Sequence, residues 1–152
     1  LLWSCMCGIL YQGDIMRILG IDLGDKKIGL AVSDPLGWTA QGLGVVTSKG
    51  SIDADIGMIN EYVKRYEVEK IIIGLPLNMD GSFGPCAEKA RVFAEQLSHK
   101  LNIPVEMIDE RLTTVAAEKV LLQADLSRAK RKKVIDKMAA VLILQRYLDK
   151  KQ

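Results

Sequence analysis

The chain has 152 residues, 49% of them hydrophobic and 26% charged, with a formal net charge of +2. That length supports one domain with a proper core and excludes two of ordinary size. The balance is that of a soluble globular protein, and the small net charge says less about partners than its distribution does.

Leu1 to Ile15 reads differently from the rest: no leading methionine, no positive leading segment, and an apolar run too short to span a bilayer. Met16-Arg17-Ile18 is the expected natural start, so residues 1–15 are expected to be a non-native or disordered extension and 16–150 a single domain. Two of the three cysteines, Cys5 and Cys7, lie in that extension. Cys86 stands alone, so the domain has no disulfide framework or metal-thiolate set, which fits a reducing cytoplasm.

Arg17 to Asp34 reads as a hairpin. In its first strand Ile18, Gly20 and Asp22 share one face and Leu19, Ile21 and Leu23 the other. Gly24 to Lys27 supplies the turn and Ile28 to Val32 the return strand. Gly20 is expected to leave open space beside Asp22. Asp34-Pro35-Leu36-Gly37 is a turn by its chemistry, and Leu43 to Thr47 completes an antiparallel meander. Ile52, Ile56, Ile59 and Val63 form the stripe of a helix over 52–66. Lys70 to Leu75 is a continuous apolar run, a strand covered on both faces.

A break over 74–82 leads to a second helix, Ala87 to Leu101, with Ser82 as its expected cap. Asn102-Ile103-Pro104 ends it, and Val105 to Ile108 makes a fifth strand. Thr113 or Thr114 can cap a short helix, Val115 to Leu122. A polar, basic break from Gln123 to Lys133 precedes a last helix, Val134 to Leu148, apolar enough to be buried on more than one side. This order predicts an α/β fold: a mixed five-stranded sheet, three antiparallel strands then parallel ones, with helices on both faces.

Three acids stand at element ends beside apolar sequence: Asp22, Glu110 and Asp136. Brought together they would repel, unless some were protonated or divalent cations were bound. Oxygen donors without nearby His or Cys favour Mg2+ or Mn2+ over zinc. Two such ions can activate a water and stabilise the leaving oxygen in phosphodiester cleavage. Each acid also has a plainer reading. Asp22 can be a cap, Glu110 can pair with Arg111 or cap the next helix, and Asp136 can favour the positive end of its own helix as a first-turn aspartate.

The stretches GIDLGDKKIGLAVSD (20–34), GLPLNMDGS (74–82), DERLTT (109–114) and IDKMAAVLILQRYLD (135–149) resemble the YqgF/RuvX family, in order and spacing through nearly all of 16–150. That family is a bacterial branch of the RNase H-like, RuvC-related nucleases. Its members are described as candidate Holliday junction resolvases and as nucleases maturing the 5′ end of pre-16S ribosomal RNA. The resemblance implies an RNase H-like fold, catalytic and metal-binding acids at Asp22, Glu110 and Asp136, and Mg2+ or Mn2+ dependence. RuvC-type resolvases place their second acid just after the fourth strand, where this chain has Gly74-Leu75-Pro76; here the candidate is Glu110.

Arg128, Lys130, Arg131, Lys132 and Lys133 lead toward Asp136, where contacts to phosphates would place a backbone beside the metal site. Lys26 and Lys27 can flank the same cleft. Arg111, Thr113, Thr114 and the amides after Gly81 can donate to a phosphate, with simple capping as the threonines' alternative. Few aromatics argues against a base-stacking platform. His99 is expected to be exposed and idle, and Cys86 packed or incidental.

The expected partner is RNA (pre-16S ribosomal RNA) or branched DNA, with ribosomal particles beyond it, no membrane, and a monomer or weak homodimer. The rivals are a junction-resolving endonuclease using the same acids, a nucleotide-binding module suggested by the likeness of Gly-Ile-Asp-Leu-Gly to the actin and sugar-kinase phosphate loop, and a catalytically silent RNA-binding scaffold for ribosome assembly.

Overall fold

The computed structural model describes residues 17–24, 26–75, 82, 84–109 and 128–151. In chain order they form β1 (Arg17–Leu23), β2 (Lys27–Ser33), β3 (Ala40–Thr47), α1 (Ile52–Tyr66), β4 (Val68–Leu75), α2 (Pro85–Leu101), β5 (Val105–Asp109) and α3 (Arg128–Lys151). The strands make one five-stranded sheet in the order β3-β2-β1-β4-β5. β1–β2 and β2–β3 pair antiparallel, β1–β4 and β4–β5 parallel. The mixed sheet and its division into a meander and a parallel half match the expectation from sequence.

Strand alternation splits the core in two. Leu19 and Ile21 of β1, Leu30 of β2, and Ile71 and Ile73 of β4 pack with Ile56, Ile59 and Val63 of α1 and Phe93, Ala94 and Leu97 of α2. Ile18, Ala31 and Ile72 point the other way, onto Ala140, Ile143, Leu144, Tyr147 and Leu148 of α3. Ile71, Ile72 and Ile73 are all fully buried, as a strand covered on both faces requires. Each such side chain contributes about 1.5–3 kcal/mol by leaving water.

Local chemistry sets the element ends. Ser51 caps α1 by accepting from the Ala54 amide at 3.2 Å, with Asp53 and Asp55 in the first turn and Lys64 and Arg65 in the last. The β2–β3 turn closes on Asp34, whose Oδ1 accepts from the amides of Trp38 (2.6 Å) and Thr39 (3.1 Å).

Four expectations change. β3 begins at Ala40, three residues early, because its pairing continues past a bulge between Leu30 and Ala31. The cap of α2 is Gly84, with Pro85 entering the helix, and not Ser82; Pro lacks the amide that a first-turn cap would satisfy and presets the helical φ. The basic run 128–133 is helical, belonging to α3, because Arg, Lys and Ala are good helix formers and no Gly or Pro interrupts 128–151. Among the described side chains of α3 the buried positions form one stripe (Ala139, Ala140, Ile143, Leu144, Tyr147, Leu148), while Val141 and Leu142 are only half-buried against it. Residues 1–15, the turn amides after Gly81, the Thr113 or Thr114 cap and the helix expected over 115–122 lie outside the described residues. No described helix is long and apolar enough to cross a membrane.

Candidate active site

Asp22 sits near the C-terminal end of β1, half-buried, on the face that α3 covers. Its partner across β2 is Gly29. On the other side, one residue beyond the paired Ile21 and Ile73, comes Gly74 of β4. Neither flanking strand therefore puts a side chain against the carboxylate on its own level of the sheet. Sequence reading passed over Gly29 and did not set Gly74 beside Asp22, because a register joins positions far apart in the chain.

Gly20 does not leave open space. A Cβ there would stand 2.7 Å from the Cβ of Leu144 and 3.1 Å from the carbonyl oxygen of Ala140. The glycine instead lets α3 approach β1 closely. Tyr147 and Leu148 of α3 pack with Ile18 at the start of β1, and Ala140 meets Gly20 further along, so α3 runs antiparallel to β1. From Gly20 to Asp22 is about 7 Å of strand. From Ala140 back to position 136 is one helical turn, about 6 Å. The backbone of α3 thus carries Asp136 to the end of the sheet where Asp22 lies. Asp136 is not in the first turn, which holds no acidic residue. Its plainer reading as a dipole-favoured first-turn aspartate fails, since that effect fades beyond the first turn.

On β5 the alternation gives Val105 and Met107 the α1–α2 face and Ile108 the α3 face. Glu110, Arg111, Thr113 and Thr114 lie outside the described residues. Among the described residues no three His, Cys, Asp or Glu side chains form a group able to hold a metal.

Lys26 and Lys27 are exposed at the β1–β2 turn, at the same end as Asp22. The basic residues 128, 130, 131, 132 and 133 open α3. His99 is exposed in the last turn of α2. Cys86 is exposed rather than packed.

At the opposite end of α3 a clamp holds the helix down. Lys70 on β4 donates to the Tyr147 hydroxyl at 2.7 Å and pairs with Glu106 of β5 at 2.8 Å. Burial pulls the Lys70 ammonium toward neutrality, but its bonds to Glu106 and Tyr147 outweigh that and hold its pKa above the usual lysine value.

The family model described as RuvX, Holliday junction resolvase, matches residues 16–150. The chain belongs to the RuvX family. A Pelotomaculum thermopropionicum protein named "Putative pre-16S rRNA nuclease" is 64% identical over 134 residues, covering 88% of this chain and 87% of that one. A Heliobacterium modesticaldum protein of the same name is 59% identical over 136 residues, covering 90% and 91%. Among solved structures, RuvC of T. thermophilus in complex with a Holliday junction substrate superposes with a TM-score of 0.55 at 16% identity, over 90% of this chain and 95% of that one. A second Thermus thermophilus RuvC structure gives 0.51 at 15%, over 90% and 96%. The RuvX chain thus shares the RuvC, RNase H-like fold and belongs to a family of nucleases, enzymes that hydrolyse phosphodiester bonds.

Proposed function

We propose that this RuvX protein is a metal-dependent nuclease of the cytoplasm, acting as one domain over residues 16–150 in maturing the 5′ end of pre-16S ribosomal RNA. The observation that carries the reading is Asp22 at the end of a central strand, half-buried, flanked by Gly29 and Gly74, with α3 bringing Asp136 to the same end.

Asp22, Glu110 and Asp136 are the acids that would hold Mg2+ or Mn2+. Their donor set suits such ions, being hard oxygens without sulfur or imidazole. When bound, the ions supply activation of a water and charge stabilisation at the leaving oxygen. Glu110 follows β5 in the chain, and the family resemblance of DERLTT (109–114) supports it as the third acid. Arg128, Lys130, Arg131, Lys132 and Lys133 would orient the backbone through its phosphates, joined by Lys26, Lys27, Arg111, Thr113 and Thr114. In the reaction a water oxygen bonds to phosphorus, the bond to one ester oxygen breaks, and that oxygen leaves with a proton.

Gly74 stands on β4 near where RuvC-type resolvases carry their second acid, so a four-way-junction substrate does not carry over from them to this site. The test is Mn2+-dependent cleavage of a short RNA bearing the 5′ precursor junction, with a four-way DNA junction in parallel and Asp22→Asn beside the wild type. We expect RNA cleavage by the wild type, lost by at least a hundredfold in Asp22→Asn with RNA binding kept. Cleavage of the junction alone would promote the resolvase. Binding without cleavage of either substrate would leave the scaffold.

A further inference from the structure

At the end of the sheet that carries Asp22, the basic Lys26–Lys27 turn has a neighbour, Lys49, that no local sequence pattern singles out. Lys27 opens β2 on the same face as Asp22, since alternation along β2 places it with Gly29 and Ala31. Thr47, its partner on β3, ends that strand, and Lys49 follows two residues on. Lys26, Lys27 and Lys49 are all exposed.

The loop that carries Lys49 is tied down from both sides. The Ser48 amide donates to the Lys26 carbonyl at 2.8 Å, joining the β3–α1 loop to the β1–β2 turn. Asp55, buried in the first turn of α1, accepts from the Ser48 hydroxyl at 2.6 Å and from the Lys49 amide at 2.7 Å, one on each carboxylate oxygen. Its charge is thus directed into the loop. The neighbouring acid, Asp53, pairs with Lys100 of α2. Among the described residues no acid forms an ion pair with Lys26, Lys27 or Lys49, whereas Lys70 and Lys100 are paired.

We propose that Lys49, held beside Lys26 and Lys27 by the Ser48–Asp55 knot, forms a rim that binds the phosphates of a single-stranded RNA segment flanking the scissile bond. This rests on the nuclease reading above and names a part of its substrate site. Lys49 lies two strand spacings and a few residues from Asp22, on the order of 15 Å, so it meets phosphates beyond the one being cut. The contacts are to the backbone charge, so they set affinity and register and carry no base preference.

The experiment is anisotropy of a fluorescein-labelled single-stranded RNA carrying the 5′ precursor junction, titrated with the full chain at several KCl concentrations. Asp22→Asn is the common background, so that the RNA stays intact, and wild-type cleavage is measured alongside. Removing one phosphate contact lowers affinity about fivefold at 0.1 M salt and reduces the slope of log K against log salt by about 0.7. Lys49→Ala should show that change, and Lys26→Ala/Lys49→Ala about twice the change in slope. Lys64→Ala, on exposed helix at the far end of α1, should match the parent. Unchanged affinity and slope in Lys49→Ala, with the parent binding and the wild type cutting, would overturn the rim and leave the nuclease reading intact. Equal losses in Lys49→Ala and Lys64→Ala would overturn it as a mere net-charge effect. Failure of the parent to bind RNA, with no cleavage by the wild type, would overturn both.

Discussion

Gly20 and Asp22 are two residues apart on one face of β1, and in the proposed site they divide the work. The glycine sets how close α3 can come, and the aspartate marks what α3 comes close to. Gly20→Ala would place a Cβ against Leu144 and the Ala140 carbonyl. We expect it to cost about 1–3 kcal/mol in urea denaturation, the usual penalty for overpacking. On the proposed function α3 also carries an acid of the metal site, Asp136, so the same change should lower the cleavage rate by one to two orders of magnitude, since small misplacements of catalytic groups are costly. Lys70 acts at the other end of the helix. Its raised pKa means the folded state holds that proton more tightly than the unfolded chain. Its contribution to stability is fully present below the ordinary lysine pKa of about 10.4 and is lost as pH rises through the raised value. The stability gap between wild type and Lys70→Met, measured by denaturation across pH 8 to 12, should be flat at first and narrow only at the alkaline end.

At the scale of elements, α1 and α3 show opposite uses of helix ends. α1 follows the rules of stability: a serine cap, acids first, bases last. It breaks them only at Glu67, which takes the left-handed conformation at φ 53° while its amide donates to the Val63 carbonyl. Glu67→Gly should stabilise by about 0.5–1 kcal/mol in chemical denaturation, because the strain of a side chain there exceeds the added flexibility of the unfolded glycine. α2 ends the same way on Asn102 at φ 54°, where asparagine already tolerates that conformation, so Asn102→Gly should change little. α3 opens on a basic run with no acid in its first turn, charges that a helix start disfavours. Helix stability alone does not account for that sequence, and an anionic backbone at that end would reverse the sign of the effect.

For the molecule as a whole, the sheet separates two ends. The end with Asp22 gathers the Lys26–Lys27 turn, the Lys49 loop and the opening of α3. The other end holds the β2–β3 turn with exposed Leu36 and Trp38, and the Lys70–Tyr147 clamp. A ligand that binds only the folded protein raises its stability by mass action, by about 2.7 kcal/mol at one hundred times its dissociation constant. On the proposed metal site, Mn2+ should raise the thermal midpoint of the wild type and leave Asp22→Asn nearly unmoved, read by circular dichroism with and without chelator.

Hydrophobic periodicity, turn chemistry and the order of elements determined the existence of the five strands, the first helix and the division of the sheet into meander and parallel half, though not where β3 begins, because alternation reports which face of each element is buried. Periodicity also singled out Asp22, since a carboxylate within an apolar alternation stands out locally. The extent of α3 was misread because a basic run looks like a loop until its helix propensity is weighed against its polarity. Gly20 was misread because only the docked helix shows what fills the space above a glycine. Gly29 and Gly74 beside Asp22, and the knot from Asp55 to the Lys49 loop, were decided by tertiary structure alone. Register and buried hydrogen bonds join residues that no local pattern links, and they form only once the sheet and helices have packed.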